Sequence, residues 1–117
     1  MKFIAFRVIS AIVTLSMPLA MALPAQADSR KAFCKYFPNG ASRATISMPC
    51  VFSMNQGNVG ITWEDGVSDY FLLSRGRAMT YTDERGGLVY QQRSEDAKGE
   101  SIRIFKMENG SIHIWGS

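Results

Sequence analysis

From Phe52 to Phe71 the chain alternates apolar and polar side chains and twice breaks the alternation with a short glycine-containing step. A period of two is the mark of a strand with one buried face. Asp65-Gly66 and Gly57-Asn58 both have the residue types of two-residue hairpin turns. With a turn at Asp65-Gly66, Trp63 faces Ser68, Ile61 faces Tyr70 and Gly60 faces Phe71. With a turn at Gly57-Asn58, Gln56 faces Val59, Met54 faces Ile61 and Phe52 faces Trp63. The two registers agree on one apolar face of Phe52, Met54, Val59, Ile61, Trp63, Tyr70 and Leu72. The opposite face carries Ser53, Asn55, Thr62, Glu64 and Asp69. A slip of one residue in either hairpin would turn Trp63 into water. Phe71 falls on the polar side opposite Gly60, where an aromatic ring can cover a glycine. The apolar face reads as core, with Trp63 as its anchor.

The rest of the chain adds strands on either side of this meander. Lys35 to Arg43, with Pro38-Asn39-Gly40, reads as a loop. Ala44 to Met48 is a short strand, and Pro49 after it suits a sheet edge or corner. Ser74 to Arg77 is a loop and Ala78 to Thr82 a strand. Asp83 to Gly87 is a turn, and Leu88 to Gln92 follows, with Leu88 and Tyr90 matched to Met79 and Tyr81. Ser94 to Glu100 is a polar loop. Ser101 to Met107 and Ser111 to Trp115 form a last hairpin around Asn109-Gly110, with apolar residues on both faces. That pattern fits a longer turn, a hairpin covered on both sides, or an apolar patch offered to a partner. No stretch after residue 27 has a helical period. The expectation is an all-β domain: a small antiparallel β-barrel or a strongly curved meander sheet of about eight strands. Closing the barrel would remove exposed edges.

The first residues read as an address rather than as structure. Lys2 and Arg7 precede a mostly apolar run from Ile9 to Leu23, and Ala25-Gln26-Ala27 has the small-x-small pattern of a cleavage site. Residues 1–27 are thus expected to be a bacterial secretory signal peptide, leaving residues 28–117 as one β domain in the periplasm or outside the cell. Ala32-Phe33-Cys34 lacks the small residues of a lipoprotein processing site, and no membrane span is expected in the mature chain. Removing Lys2 and Arg7 reduces the 13 basic residues to 11 against 10 acids, a net charge of +1. So small an excess does not point to nucleic acid. Local basic groups remain at Arg30, Lys31, Lys35 and Arg43, and at Arg75 and Arg77. The only two cysteines of the 117 residues, Cys34 and Cys50, are expected to form a disulfide in an oxidising compartment.

The meander, followed by Tyr81-Thr82-Asp83, Gly86-Gly87 and Leu88-Val89-Tyr90, resembles small secreted bacterial β-proteins whose functions are uncharacterised. More distantly it is similar to the periplasmic inhibitors of C-type lysozyme, which are eight-stranded barrels. The likeness runs from Val59 to Arg93 and rests on strand order, on the spacing from Asp65 to Phe71 and on Tyr81 to Asp83. In those inhibitors a Ser-Gly pair before the tyrosine and a lysine after the next strand enter the lysozyme active site. Here Arg77, Ala78, Met79 and Thr80 precede Tyr81, so the Ser-Gly is missing, and the lysine position falls near Gln92 or Arg93. The resemblance therefore speaks more for the fold than for inhibition.

Catalytic and cofactor motifs are sparse. His113 is the only histidine and has no nucleophile-elbow sequence near it. Asp65 is accounted for by its turn. Gly86-Gly87 has no helix after it to form a phosphate loop. Neither a cofactor nor a metal site is indicated. The reading is a non-enzymatic binding or inhibitor domain, acting on an envelope protein such as a hydrolase, lysozyme among them, or on an anionic envelope polymer. Its candidate contact residues are Arg75, Arg77, Asp83 and Arg85, on two loops taken as neighbours. The alternative is a cell-envelope carbohydrate-binding domain or small envelope enzyme that uses the aromatics and acids of the meander.

Overall fold

A computed structural model of the protein describes residues 28–117; the expected signal peptide lies outside the described residues. Eight strands follow one another: β1 (Asp28–Pro38), β2 (Ile46–Asn55), β3 (Asn58–Trp63), β4 (Ser68–Leu73), β5 (Thr80–Thr82), β6 (Leu88–Glu95), β7 (Ser101–Met107) and β8 (Gly110–Trp115). Each pairs antiparallel with the next, and β8 returns to β1, so the sheet closes into a barrel. Among the described residues no helix is long and apolar enough to cross a membrane.

Closure depends on β1, which pairs with β2 through Tyr36↔Ile46 and with β8 through Pro38↔Gly110. Lys35 to Pro38 is therefore strand rather than loop. Gly110 lies against the Phe37 carbonyl and the Tyr36 ring, and any Cβ there would collide with both. β2 likewise runs unbroken through Pro49. The Pro49 carbonyl accepts from the Glu64 N–H at 3.0 Å, at the level where β3 turns away, so the missing proline N–H forfeits only a bond at the end of the ladder. Cys34 and Cys50 are bonded, each fully or almost fully buried, with Cα atoms 5.8 Å apart. Closing a loop of this size stabilises by about 3 kcal/mol in the chain-entropy account.

The turn at Asp65-Gly66 differs from expectation in a way that turns β4 over. Trp63 N–H donates to the Val67 carbonyl and Gly66 N–H to the Trp63 carbonyl. Glu64, Asp65 and Gly66 thus form a three-residue turn in which only Gly66, at φ +93°, is left-handed. The added residue pairs Ile61 with Asp69 and Gly60 with Tyr70. Phe71 consequently points inward at 1 % exposure, while Tyr70 and Leu72 stand outside at 52 % and 58 %. Tyr70, not Phe71, is the ring that lies over Gly60. The other two hairpins move less. The β2–β3 turn is Gln56-Gly57, both at positive φ, and the β7–β8 turn is Glu108-Asn109. Each register slides by two residues, which leaves the faces unchanged.

Two more expectations are corrected at β5 and β6. Strand β5 begins only at Thr80. Met79 adopts φ 57° in the loop before it and is exposed. Tyr81 pairs with Val89, and Leu88 and Tyr90 face outward. The barrel is filled by Phe52, Val59, Ile61, Trp63, Phe71, Tyr81, Val89, Phe105, Ile112 and Ile114. Phe105 is the hub, with ring centroids 5.2 Å from Phe71, 5.7 Å from Tyr81 and 6.4 Å from Phe52. In the two-faced last hairpin Phe105, Ile112 and Ile114 face the interior; on the outer wall Ile102 is buried beside Trp115, while Ile104, His113 and Trp115 are half-buried.

Candidate functional site

Antiparallel connections divide the loops between the two mouths of the barrel. The turns after β1, β3, β5 and β7 close one mouth; those after β2, β4 and β6, with Asp28 and Ser117, surround the other. The Arg75–Arg77 and Asp83–Gly87 loops precede and follow the short strand β5, so they belong to opposite mouths. Asp83 and Arg85 come together; Arg75 and Arg77 do not join them.

The first mouth is acidic. Glu64, Asp65, Asp69, Asp83, Glu84 and Glu108 lie in or beside its loops, with Arg43, Arg85 and Lys106 as cations. A cavity of about 270 Å³ opens there, floored by Tyr36, Trp63, Phe71, Met107 and Ile112 and rimmed by Asp65, Asp83, Glu84 and Arg85. Three of the carboxylates are engaged within the protein. Asp65 Oδ1 accepts from Val67 N–H at 3.1 Å, and Asp69 Oδ2 from Trp63 Nε1–H at 2.8 Å. Asp83 Oδ1 accepts from both Arg85 N–H at 2.9 Å and Gly87 N–H at 2.8 Å. These bonds shape the turns, as aspartate side chains commonly do.

The second mouth gathers arginines. Arg75 and Arg77 stand exposed on the β4–β5 loop, with exposed Met79 beside them. Inside this mouth, β7 presents Arg103 on the same face as Phe105. Its guanidinium lies 4.5 Å from the Phe52 ring, and its Nε–H donates to Ser117 Oγ at 3.0 Å. Arg93 is its direct cross-strand partner, and Arg30 is paired with Phe52 on the facing part of the wall. Burial and the positive charges of Arg93 and Arg30 lower the pKa of Arg103, and the Tyr81 phenol opposes them. Burial in turn raises the pKa of Tyr81, whose hydroxyl donates to Gln91 Oε1 at 3.0 Å. Asp28, Glu95, Asp96 and Glu100 also lie at this end. Asp96 is engaged within the protein: it accepts from Lys98 N–H and Glu100 N–H of its own loop and from Trp115 Nε1–H on β8.

His113 sits half-buried on the outer wall, with Nε2 3.1 Å from Ser111 Oγ and its ring 4.3 Å from that of Phe37. Burial, then Lys106 and Lys35, lower its pKa. A serine and a histidine are thus in reach, but the charged groups acting on the imidazole are cations, where a triad needs a carboxylate. Among the described residues no group of three His, Cys, Asp or Glu could hold a metal ion.

The sequence marked Arg75 and Arg77 but passed over Arg103. The available signal was its spacing: Arg103, Phe105 and Met107 share one strand parity, so an arginine falls on the face of a core phenylalanine. Its juxtaposition with Arg30 and Arg93 depends on barrel closure. No protein-family model matches the chain, no curated protein matches it, and no solved structure matches it.

Proposed function

We propose that this protein is a non-enzymatic binding domain of the cell envelope that presents its basic mouth to an anionic surface of a protein partner. An envelope hydrolase with an acidic catalytic cleft, such as lysozyme, is the partner class that fits. The observation that carries the reading is the gathering of Arg75, Arg77, Arg30, Arg93 and Arg103 at one end of the barrel. Arginine forks donate paired hydrogen bonds to carboxylates. Met79 adds an exposed apolar group to the same loop, and arginine and methionine are both enriched where proteins meet. The Cys34–Cys50 bond is compatible with an exported, oxidised protein.

The test is the double variant Arg75→Ala, Arg77→Ala. Both residues are exposed loop positions, so stability should change by less than about 0.5 kcal/mol. Capture of envelope partners, or inhibition of lysozyme, should drop sharply. Unchanged capture of every partner by a folded double variant overturns the reading. One observation favours a second reading, a carbohydrate-binding wall: Tyr70, Leu72, Leu88 and Tyr90 are exposed on the outside of β4 and β6. Retention on peptidoglycan that Tyr90→Ala abolishes would select it. Tyr70 is less informative, because its ring already covers Gly60.

A further inference from the structure

We propose that Arg103, with Arg93 and Arg30 beside it, is a receptor site for one carboxylate of the partner, set inside the basic mouth of the barrel. The inference rests on the reading of that mouth as the binding face and names the chemistry within it. Three features point to an anion as the ligand. Arg103 is half-buried on the inner face and lies on the Phe52 ring, so its guanidinium has given up part of its hydration. Its direct cross-strand neighbour is another arginine, a pairing that destabilises a sheet unless something neutralises it. Arg93 and Arg30 both act on it with its own sign of charge, opposed by the Tyr81 phenol. Asp28 and Glu95 lie further out towards the rim, beyond the pairs Arg30↔Phe52 and Arg93↔Arg103.

The geometry also selects the shape of the anion. Ser117 Oγ takes the Nε–H of Arg103, and Phe52 covers a face of the guanidinium. What remains is the edge formed by the two terminal nitrogens, which matches the two oxygens of a planar carboxylate in a fork-to-fork bond. Arg30 and Arg93 stand exposed at the same mouth and supply long-range attraction. An aspartate or glutamate from an acidic cleft, inserted into the mouth, would complete the site.

The experiment uses the isolated protein and needs no partner. Acetate is titrated into it at constant ionic strength, with chloride as the control and inorganic phosphate as the competing probe. The arginine Nε–H resonances are followed by NMR. The expected result is a saturable shift at Arg103, with acetate bound about tenfold more tightly than at Arg75 or Arg77. In Arg103→Lys, which keeps the charge but loses the fork, saturable binding should disappear; the titration of the unaltered protein decides the matter even if that variant folds poorly. A shift at Arg103 no larger than with chloride overturns the proposal. Saturation by phosphate but not acetate also overturns it, and reassigns the mouth to a phosphate-bearing polymer. Either failure leaves the broader reading to its own test, because capture by the Arg75 and Arg77 loop is measured separately.

Discussion

The two mouths of this barrel carry opposite charges and use them differently. At the acidic mouth Asp65, Asp69 and Asp83 accept hydrogen bonds from the turns or from Trp63. At the basic mouth Arg103 donates to Ser117, lies on the Phe52 ring and has two more arginines near it. The difference follows from chemistry. Tight turns leave backbone N–H groups without ladder partners, and a carboxylate satisfies them directly. A guanidinium has only donors, so it cannot serve those groups and must look for an acceptor elsewhere. Asp96 makes the point from the basic side, for it too is drawn into its own turn and onto Trp115. Four aspartates here serve the loops and the tryptophans, and on the reading proposed above the arginines serve a partner. If that is right, damage at the acidic mouth should appear as lost stability, and damage at the basic mouth as lost binding.

The largest expected effect is at Trp63. It is 6 % exposed, floors the acidic cavity and holds Asp69 through its indole N–H. Trp63→Ala should cost about 3–5 kcal/mol through lost burial and the cavity left behind. Trp63→Phe keeps most of the volume and removes the bond to Asp69, at about 1 kcal/mol. Urea denaturation measures both. A Trp63→Ala protein that unfolds like its parent but loses a partner would make the acidic mouth the binding surface and reverse the comparison.

A smaller loss is expected at Asp83, where one carboxylate oxygen accepts two backbone N–H groups. Asp83→Ala should lower stability by about 1 kcal/mol and leave partner capture unchanged. Asp96 allows the same question to be asked by titration. The Glu100 backbone N–H first, then the Trp115 and Lys98 donors, hold its carboxyl below the ordinary aspartate range. Its folded pKa lies below the unfolded one, so its contribution is present at neutral pH and is lost as pH falls through the folded value, below about pH 4. In Asp96→Asn that part of the acid dependence should be missing from melting curves recorded across this range. An unchanged acid profile would mean that the loop does not rely on the charge.

How much of this was legible in the sequence depends on the range of the interaction. Alternation from Phe52 to Trp63 is local, so the strands and the buried faces of β2 and β3 could be read directly. Asp65-Gly66 announced a turn but not its length. Gly66 alone in the left-handed region makes a three-residue turn, whereas two such residues make a shorter one, and that single residue decides whether Phe71 or Tyr70 faces the core. Arg75 and Arg77 were legible as exposed loop residues, because Gly76 between them marks the turn. That their loop and Asp83–Gly87 sit at opposite mouths follows from β5 being a strand that crosses the wall. The site at Arg103 was the least accessible. It is assembled from β1, β2, β6 and β7, and only closure of the barrel brings them together.

The smallest expected effect has the opposite sign and tests the comparison most directly. Arg93 faces Arg103 across the β6–β7 ladder, and like charges directly opposite each other weaken a sheet. Arg93→Gln removes the repulsion while keeping a long polar side chain at an exposed position. It should raise stability by about 0.5 kcal/mol at low ionic strength. The gain should shrink as salt rises, because the screening length falls to about 10 Å at 0.1 M and about 3 Å at 1 M. Partner capture should weaken in the same variant, since the charge that attracts the anion has been reduced. Stability and binding would then move in opposite directions, as they must if the basic mouth is held ready for a ligand at the expense of the free protein. Thermal melts at two salt concentrations supply the first measurement, and capture at matched salt the second. A loss of stability on Arg93→Gln would reveal an internal partner for that arginine, and the contrast between the two mouths would no longer stand.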